Sequence, residues 1–206
     1  MSRRDVMKSL LRSAATGASQ RLAQSGVASS VRRSLSSLAG ARLFIPDARL
    51  TAAVARVDEV SAATVSTRDG RLRIDLSFDE GPSLAMIVSP ENVTFASHGA
   101  KEWSVRIDPQ AAALDPRCVD VVAALAAEIA RTLWGPFLRK ESARGKNAFV
   151  HRDRDTLIVD LRSLPDVRVA LGQRISAAGI DAFGLQAIVA EDGGLRLVPK
   201  LPGLQL

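Results

Sequence analysis

An α+β fold, with a twisted antiparallel sheet and a long amphipathic helix and a shorter helix packed on one face, is predicted by three features of this 206-residue chain. A strand–turn–strand pattern of fifteen residues occurs twice, at Val60 to Ile74 and at Phe183 to Leu197. Further alternating apolar stretches lie between residues 84 and 108. A broad apolar stripe at helical spacing then runs between Asp115-Pro116 and Gly135-Pro136. Consecutive strands followed by helices favour segregated α and β layers over an alternating parallel architecture.

The two fifteen-residue copies align on their turns, sharing Asp69/Asp192, Gly70/Gly193, Leu72/Leu195 and Arg73/Arg196. Asp-Gly between alternating apolar runs is a hairpin signal, because a two-residue type I′ turn needs positive φ at both central positions. With Asp69-Gly70 as the loop, Val65 pairs with Ile74, Thr67 with Leu72 and Ala63 with Leu76 on one face. Ser66 faces Arg73 and Thr64 faces Asp75 on the other, and Ile188 faces Leu197 in the second copy. Turn chemistry and side-chain alternation therefore specify the same register. The offset of 123 residues exceeds any solenoid period of about 20–50 residues, so the copies suggest at most two related halves.

In chain order, residues 1–40 form a basic amphipathic helical arm and linker, and residues 41–206 a single α+β domain. After Asp5 no acidic residue occurs until Asp47. At 100° per residue, Val6, Met7, Leu10, Leu11, Ala14, Ala18 and Leu22 fall within about half a helical wheel, with Arg21 intruding and Lys8 and Arg12 opposite. A helix over residues 3–22 follows, and three roles stay open for it. It docks on the domain's own apolar surface, lies on a membrane or partner, or serves as a cleavable transit peptide. Residues 25–40, with Arg32 and Arg33, form a linker or second short helix.

The segment from Phe44 to Glu59 is ambiguous, since Leu50, Val54 and Val57 have helical spacing while Pro46 suits extended chain. After the first hairpin, Leu84 to Val88 reads as a short strand bounded by Pro82 and Pro90. Val93 and Phe95 then lead into a His98-Gly99 turn, and Trp103, Val105 and Ile107 alternate out of it against Glu102, Ser104 and Arg106. The long helix follows, opened by Asp115-Pro116 and closed by Gly135-Pro136. Cys118, Val122, Leu125, Ile129 and Leu133 form its stripe, and Asp120, Glu128 and Arg131 lie opposite. Residues 139–154 form a basic stretch looping around Gly145, before the apolar run Leu157 to Leu161. Leu164-Pro165 opens a second helix carrying Val167, Leu171 and Ile175 and closed by Gly179, and the second Asp-Gly hairpin completes the domain.

Composition bounds the function. The chain is 47 % apolar and 24 % charged, with 4 % aromatic residues and no Tyr, so its core is aliphatic and it lacks a stacking platform for single-stranded nucleic acid. One cysteine, Cys118, excludes an internal disulfide and a multi-cysteine metal site and suits a reducing compartment. A formal charge of +6 favours anionic partners. The chain has neither an apolar run long enough to span a bilayer nor a continuous apolar region typical of a secretory signal. It is expected to be cytoplasmic, with peripheral membrane attachment through the arm.

Catalytic motifs are missing. In place of a phosphate-binding loop, Gly145-Lys146 precedes Asn147, and Lys140 stands where the first glycine belongs. GxGxxG, HExxH and GxSxG do not occur. His98 belongs to a turn and Cys118 to an apolar stripe, while His151-Arg152-Asp153 lacks every other kinase element and reads as a charged turn. No catalytic residue, metal ligand or cofactor is predicted, and an enzymatic reading has no nucleophile or base to rest on. The basic stretch around Arg139, Lys140, Arg144, Lys146, Arg152 and Arg154 is a solvated loop or a phosphate-facing surface.

Leu164-Pro165, the short helix after it, Gly179-Ile180 and the closing Asp192-Gly193 hairpin resemble the C-terminal part of bacterial LmeA-like, tubular lipid-binding (TULIP-type) proteins. The resemblance covers about a quarter of the chain. It implies a long helix lining a twisted sheet and an apolar groove for acyl chains. The expected function is non-enzymatic binding of lipid or a membrane surface. It would use a groove at Val122, Leu125, Ile129 and Leu133 and basic contacts from Lys8, Arg12, Arg32, Arg33, Arg139, Lys140, Arg144 and Lys146. The alternatives are a protein-interaction or scaffold module whose arm docks on a partner and, third, a non-specific nucleic-acid binder, which the lack of any nucleic-acid motif disfavours.

Overall fold

The computed structural model describes residues 43–96, 99–135, 138, 150–173, 177, 180–181 and 184–200. The expected arm helix over residues 3–22, the linker at 25–40, the loop around Gly145, His98, Ile175 and Gly179 lie outside these residues. The elements are β1 (Leu43–Pro46), α1 (Asp47–Val54), β2 (Val60–Arg68), β3 (Arg71–Phe78), β4 (Leu84–Phe95), β5 (Lys101–Ile107), α2 (Pro109–Leu114), α3 (Cys118–Trp134), β6 (Val150–Asp153), β7 (Thr156–Asp160), a 3₁₀ turn at Leu161–Ser163, α4 (Pro165–Leu171), β8 (Gly184–Glu191) and β9 (Gly194–Lys200). This is the expected α+β class. The strands, however, form two antiparallel sheets where one was expected: six strands in the order β2-β3-β4-β5-β7-β6, and three in the order β1-β9-β8.

The first hairpin has the register its sequence predicts, with Val65 opposite Ile74, Thr67 opposite Leu72 and Ala63 opposite Leu76. Asp69 and Gly70 have φ of 51° and 75°, so both central residues are left-handed as a type I′ turn requires. In the second hairpin Ile188 faces Leu197 as expected. There only Gly193 has positive φ, at 85°, so that turn is not type I′. Its backbone is engaged elsewhere: the Asp47 N–H donates to the Gly193 carbonyl at 2.9 Å, and the Gly193 N–H donates to the Thr67 carbonyl at 3.1 Å.

This junction explains how the two sheets are joined. The ambiguous segment after Phe44 is both things its sequence allowed, since β1 ends at Pro46 and α1 begins at Asp47. A carboxylate in the first helical turn suits the positive end of the helix, and that of Asp47 also accepts from the Thr67 backbone N–H at 2.9 Å and from the Thr67 hydroxyl. The edge of the six-stranded sheet is thereby tied to the start of α1, and α1 to the turn of the second hairpin. Gly194 completes the arrangement, because a Cβ there would lie 2.2 Å from the Ile45 carbonyl oxygen. The close approach of β1 to β9 requires glycine at that position.

Other strands differ in detail from expectation. Leu84 does not begin a strand that stops at Pro90: β4 runs on to Phe95, with the register shift between Pro90 and Asn92 absorbing the proline. In β5, Trp103, Val105 and Ile107 point inward and Arg106 outward, as the alternation predicts. The inward side chains of β3, β4, β5 and β7 share one core with α1, α3 and the small sheet, extending from Ile45 to Leu197. The small sheet sits against the β2–β4 side, β8 lying beside β4, and α3 packs against α1, β1 and β7.

The long helix ends as its Gly-Pro stop predicts and begins two residues later than Asp115-Pro116 suggested. Asp115 orders the turn before this start, accepting from the Arg117 backbone N–H at 2.9 Å, while Arg117 stands at the N-cap with no side-chain cap. Glu128 corrects the expected polar face: only 5 % exposed, it is sequestered by ion pairs with Arg49 of α1 and Arg131. The helix α4 is shorter than predicted, stopping at Leu171 with Gly172 as its C-cap.

Two outcomes follow from this packing. Asp47→Ala should lower stability by about 2–3 kcal/mol, since it strands the Thr67 N–H, whereas Asp47→Asn keeps an acceptor and should cost less; urea unfolding measures both. Leu125→Asp buries an unpaired carboxylate in the core and should remove most of a stability of about 5–15 kcal/mol, seen as loss of the cooperative transition.

Candidate functional site

The residues expected to line a groove are core residues. Val122, Leu125 and Ile129 are 0 % exposed and Leu133 is 4 % exposed, so the inner stripe of α3 is covered by other side chains. Lys8, Arg12, Arg32, Arg33, Arg139, Lys140, Arg144 and Lys146 lie outside the described residues. His151, Arg152 and Arg154 stand exposed in the β6–β7 hairpin, where Arg152 donates to the Arg154 carbonyl at 3.1 Å. His151, Arg152 and Asp153, read as a charged turn, belong to β6 instead, and the turn is formed by Arg154, with φ of 56°, and Asp155. Cys118 is 1 % exposed with its Sγ directed at the Ala111 carbonyl, and burial pushes its thiol up, so it behaves as a small apolar side chain.

A hollow of about 320 Å³ lies instead on the outer side of α3. Its floor is made by Ala123, Ala124 and Ala127, half-buried, with the buried Ala130 behind them, and their short side chains leave a depression between two neighbours. One wall is the loop from Arg56 to Glu59 that links α1 to β2, and the other is the stretch Leu164 to Val167 at the start of α4. The sequence pattern places Asp120 and Arg131, which also line the hollow, opposite the apolar stripe. The signal available was the run of alanines beside the apolar stripe, which becomes a depression only when two other elements rise around it.

Charges at the hollow are ordered by pairing. Arg117 is bound by Asp115 through its Nε and Nη2, at 2.9–3.0 Å and 2.6 Å, lies 3.5 Å over the ring of Phe78, and has Glu59 3.9 Å away. The hydrogen bonds from Arg117 hold the Asp115 carboxyl below the usual carboxylate range, and the same bonds raise Arg117. At the other end Arg131 bridges Glu128, at 3.4 Å, and Asp166, at 4.0 Å. The end near the start of α3 is acidic. Asp58, Glu59 and Asp120 line it, and Asp115 abuts it through Arg117. Against these carboxylates stand Arg56 and Arg117.

A second polar group is buried at the opposite end of the sheet. Lys101 is 0 % exposed; its ammonium donates to the Ala96 carbonyl and lies 5.6 Å from the ring of Phe95, which in turn sits 6.1 Å from Trp134. Burial pushes Lys101 below the ordinary lysine range, Asp181 opposing this and Arg162 reinforcing it. The indole N–H groups of Trp103 and Trp134 are buried with no acceptor. Strand parity places Lys101 inward with Trp103, Val105 and Ile107, a signal missed because the strand was started at Trp103. A polar group in that position orders the interior but offers no route for a substrate.

Among the described residues no group of three or more His, Cys, Asp or Glu side chains is placed to hold a metal ion, and no helix is long and apolar enough to cross a membrane. The described hollow combines an apolar floor with carboxylates at one end. It is suited to an amphipathic, basic segment more than to a small reactive substrate.

Lys101 yields a pH signature. Its folded-state affinity for a proton is below that of the unfolded chain, so the charged form weakens the fold at low and neutral pH, and stability rises as pH climbs toward the unfolded lysine value of about 10.4. Urea titrations at several alkaline pH values should show that rise in the native chain and a flatter profile in Lys101→Met.

Comparison of the chain with protein-family models, with curated proteins and with solved structures finds no match, so its function has to be argued from the geometry and charge of its own residues.

Proposed function

We propose that this protein is a non-enzymatic, peripheral binder of anionic membrane surfaces, with residues 1–40 as the contacting segment and the α+β domain as the folded body behind it. The observation that carries this reading is the distribution of charge. Residues 1–40 contain seven of the 28 basic side chains and one of the 22 acidic ones, so the net +6 of the chain resides there and the remaining residues balance at 21 of each sign. An arm with its charge concentrated in this way, and with an apolar arc at helical spacing, has the composition of an interfacial helix. Each Lys or Arg held near an anionic leaflet contributes about 1 kcal/mol, an amount that falls as salt screens the surface.

The filled inner stripe of α3 supports a surface binder over a carrier that encloses an acyl chain. Val122, Leu125, Ile129 and Leu133 are occupied in holding the core together. The basic contacts of the proposal are therefore Lys8, Arg12, Arg32 and Arg33 in the arm, with Arg139, Lys140, Arg144 and Lys146 as a second basic segment of the same chain.

Sedimentation with vesicles containing phosphatidylserine tests the reading. The native chain should bind at low salt and dissociate as salt rises, and replacement of Lys8, Arg12, Arg32 and Arg33 by Gln should weaken binding by at least about ten-fold. Failure of the native chain to sediment with these vesicles at low salt, coupled with salt-sensitive retardation of duplex DNA, would reassign the arm to nucleic acid.

A further inference from the structure

We infer that, away from a membrane, the arm segment 3–22 docks on its own domain in the hollow along the outer side of α3. The inference rests on the reading of the arm as a basic amphipathic helix. It adds a site on the folded body, and with it a closed state that an anionic surface would open.

Three observations select this occupant. The first is charge. Residues 41–206 balance at 21 acidic and 21 basic side chains, so the complement to the positive arm is a local one. The carboxylates gather at the start of α3, where Asp58, Glu59 and Asp120 line the hollow. Arg117, one of the two cations there, is already bound by Asp115. Arg3 and Arg4, which fall on the same side of the wheel as Leu10, Leu11 and Ala14, supply the complementary charge.

The second is shape and polarity. The floor of Ala123, Ala124, Ala127 and Ala130 is apolar and shallow, which admits close approach of a helix presenting Leu10, Leu11 and Ala14. The basic segment 139–149 also lies outside the described residues, but its sequence has no apolar arc to meet such a floor. The third is reach. The stretch 23–42 separates the proposed helix from β1 and spans at most about 65–70 Å when extended. A folded body of this size has a radius of gyration of about 15 Å, so every face is accessible to the arm.

Docking within one chain needs little intrinsic affinity, because tethering sets an effective concentration in the millimolar range. A vesicle competes for the same apolar arc and the same cations. Closed and membrane-bound arms are therefore mutually exclusive, and the carboxylates at the hollow set how readily the arm is released.

The test uses full-length protein carrying Leu11→Cys with Ala124→Cys, and a control carrying Leu11→Cys with Arg73→Cys on the exposed outer face of the large sheet. Native Cys118 is buried and does not compete. On mild oxidation in dilute solution, the Ala124 pair should close within the chain at least about ten-fold faster than the control and at a rate independent of protein concentration. Adding Asp58→Lys and Asp120→Lys should slow closure, and phosphatidylserine vesicles should suppress it. Equal rates for the two pairs, or a link that forms only between chains, would overturn docking in the hollow. Closure that persists with vesicles present would overturn its opening by membranes while leaving the docked arm standing. Vesicle binding by the native chain with no preferential closure would separate the two ideas the other way.

Discussion

The carboxylate of Asp47 is the point on which the rest of the structure depends. It stands at the first position of α1, accepts from the backbone and hydroxyl of Thr67 on β2, and shares its own N–H with the turn of the second hairpin. The two hairpins belong to different sheets, and that junction ties their turns and edges together while β8 packs beside β4. With it, the edge of the large sheet, the start of α1 and the tight turn at Gly193 are mutually positioned, and the small sheet closes over the β2–β4 side of the core. A half-buried carboxylate is tolerated there because the helix start and the Thr67 donors satisfy it.

That closure decides what α3 can do. One side of the helix is consumed by the core, where Val122, Leu125, Ile129 and Trp134 are fully buried. Glu128 is drawn in as well, because Arg49 on α1 and Arg131 on α3 itself converge on it. What is left for recognition is the outer side, where alanines form the floor and the flanking elements provide walls. The helix thus separates a structural face from a face available to a partner.

Charge is segregated along the chain in the same way. Residues 41–206 balance at 21 side chains of each sign, with Asp58, Glu59 and Asp120 collected near the start of α3, and the cationic excess is in the first forty residues. Under the proposed function, the arm has two competing anionic surfaces, an external membrane and the acidic end of the hollow. Long-range attraction favours both, and the apolar arc of the arm makes them exclusive.

Much of the fold was legible in local sequence. The Asp69-Gly70 turn with its flanking alternation determined the register of the first hairpin, and Asp115-Pro116 with Gly135-Pro136 bounded α3 to within two residues. These follow from backbone chemistry that neighbours in sequence control. Which residues of α3 would form a site was not legible: Val122, Leu125, Ile129 and Leu133 were assigned to a groove, and the hollow lies along Ala123, Ala124, Ala127 and Ala130. Apolar periodicity identifies a face that will be covered without saying by what, and only the packed sheets and α1 determine that the cover is the protein's own core. Lys101 shows the same division, since strand parity turns it inward while its desolvation depends on Phe95, Trp134 and the Ala96 carbonyl meeting around it. The sequence by itself determined strand register, helix limits and the segregation of charge, because each is a property of nearby residues. The tertiary structure alone decided that the two hairpins form separate sheets joined at Asp47, and that the open side of the long helix is the alanine side, because both depend on contacts between segments far apart in the chain.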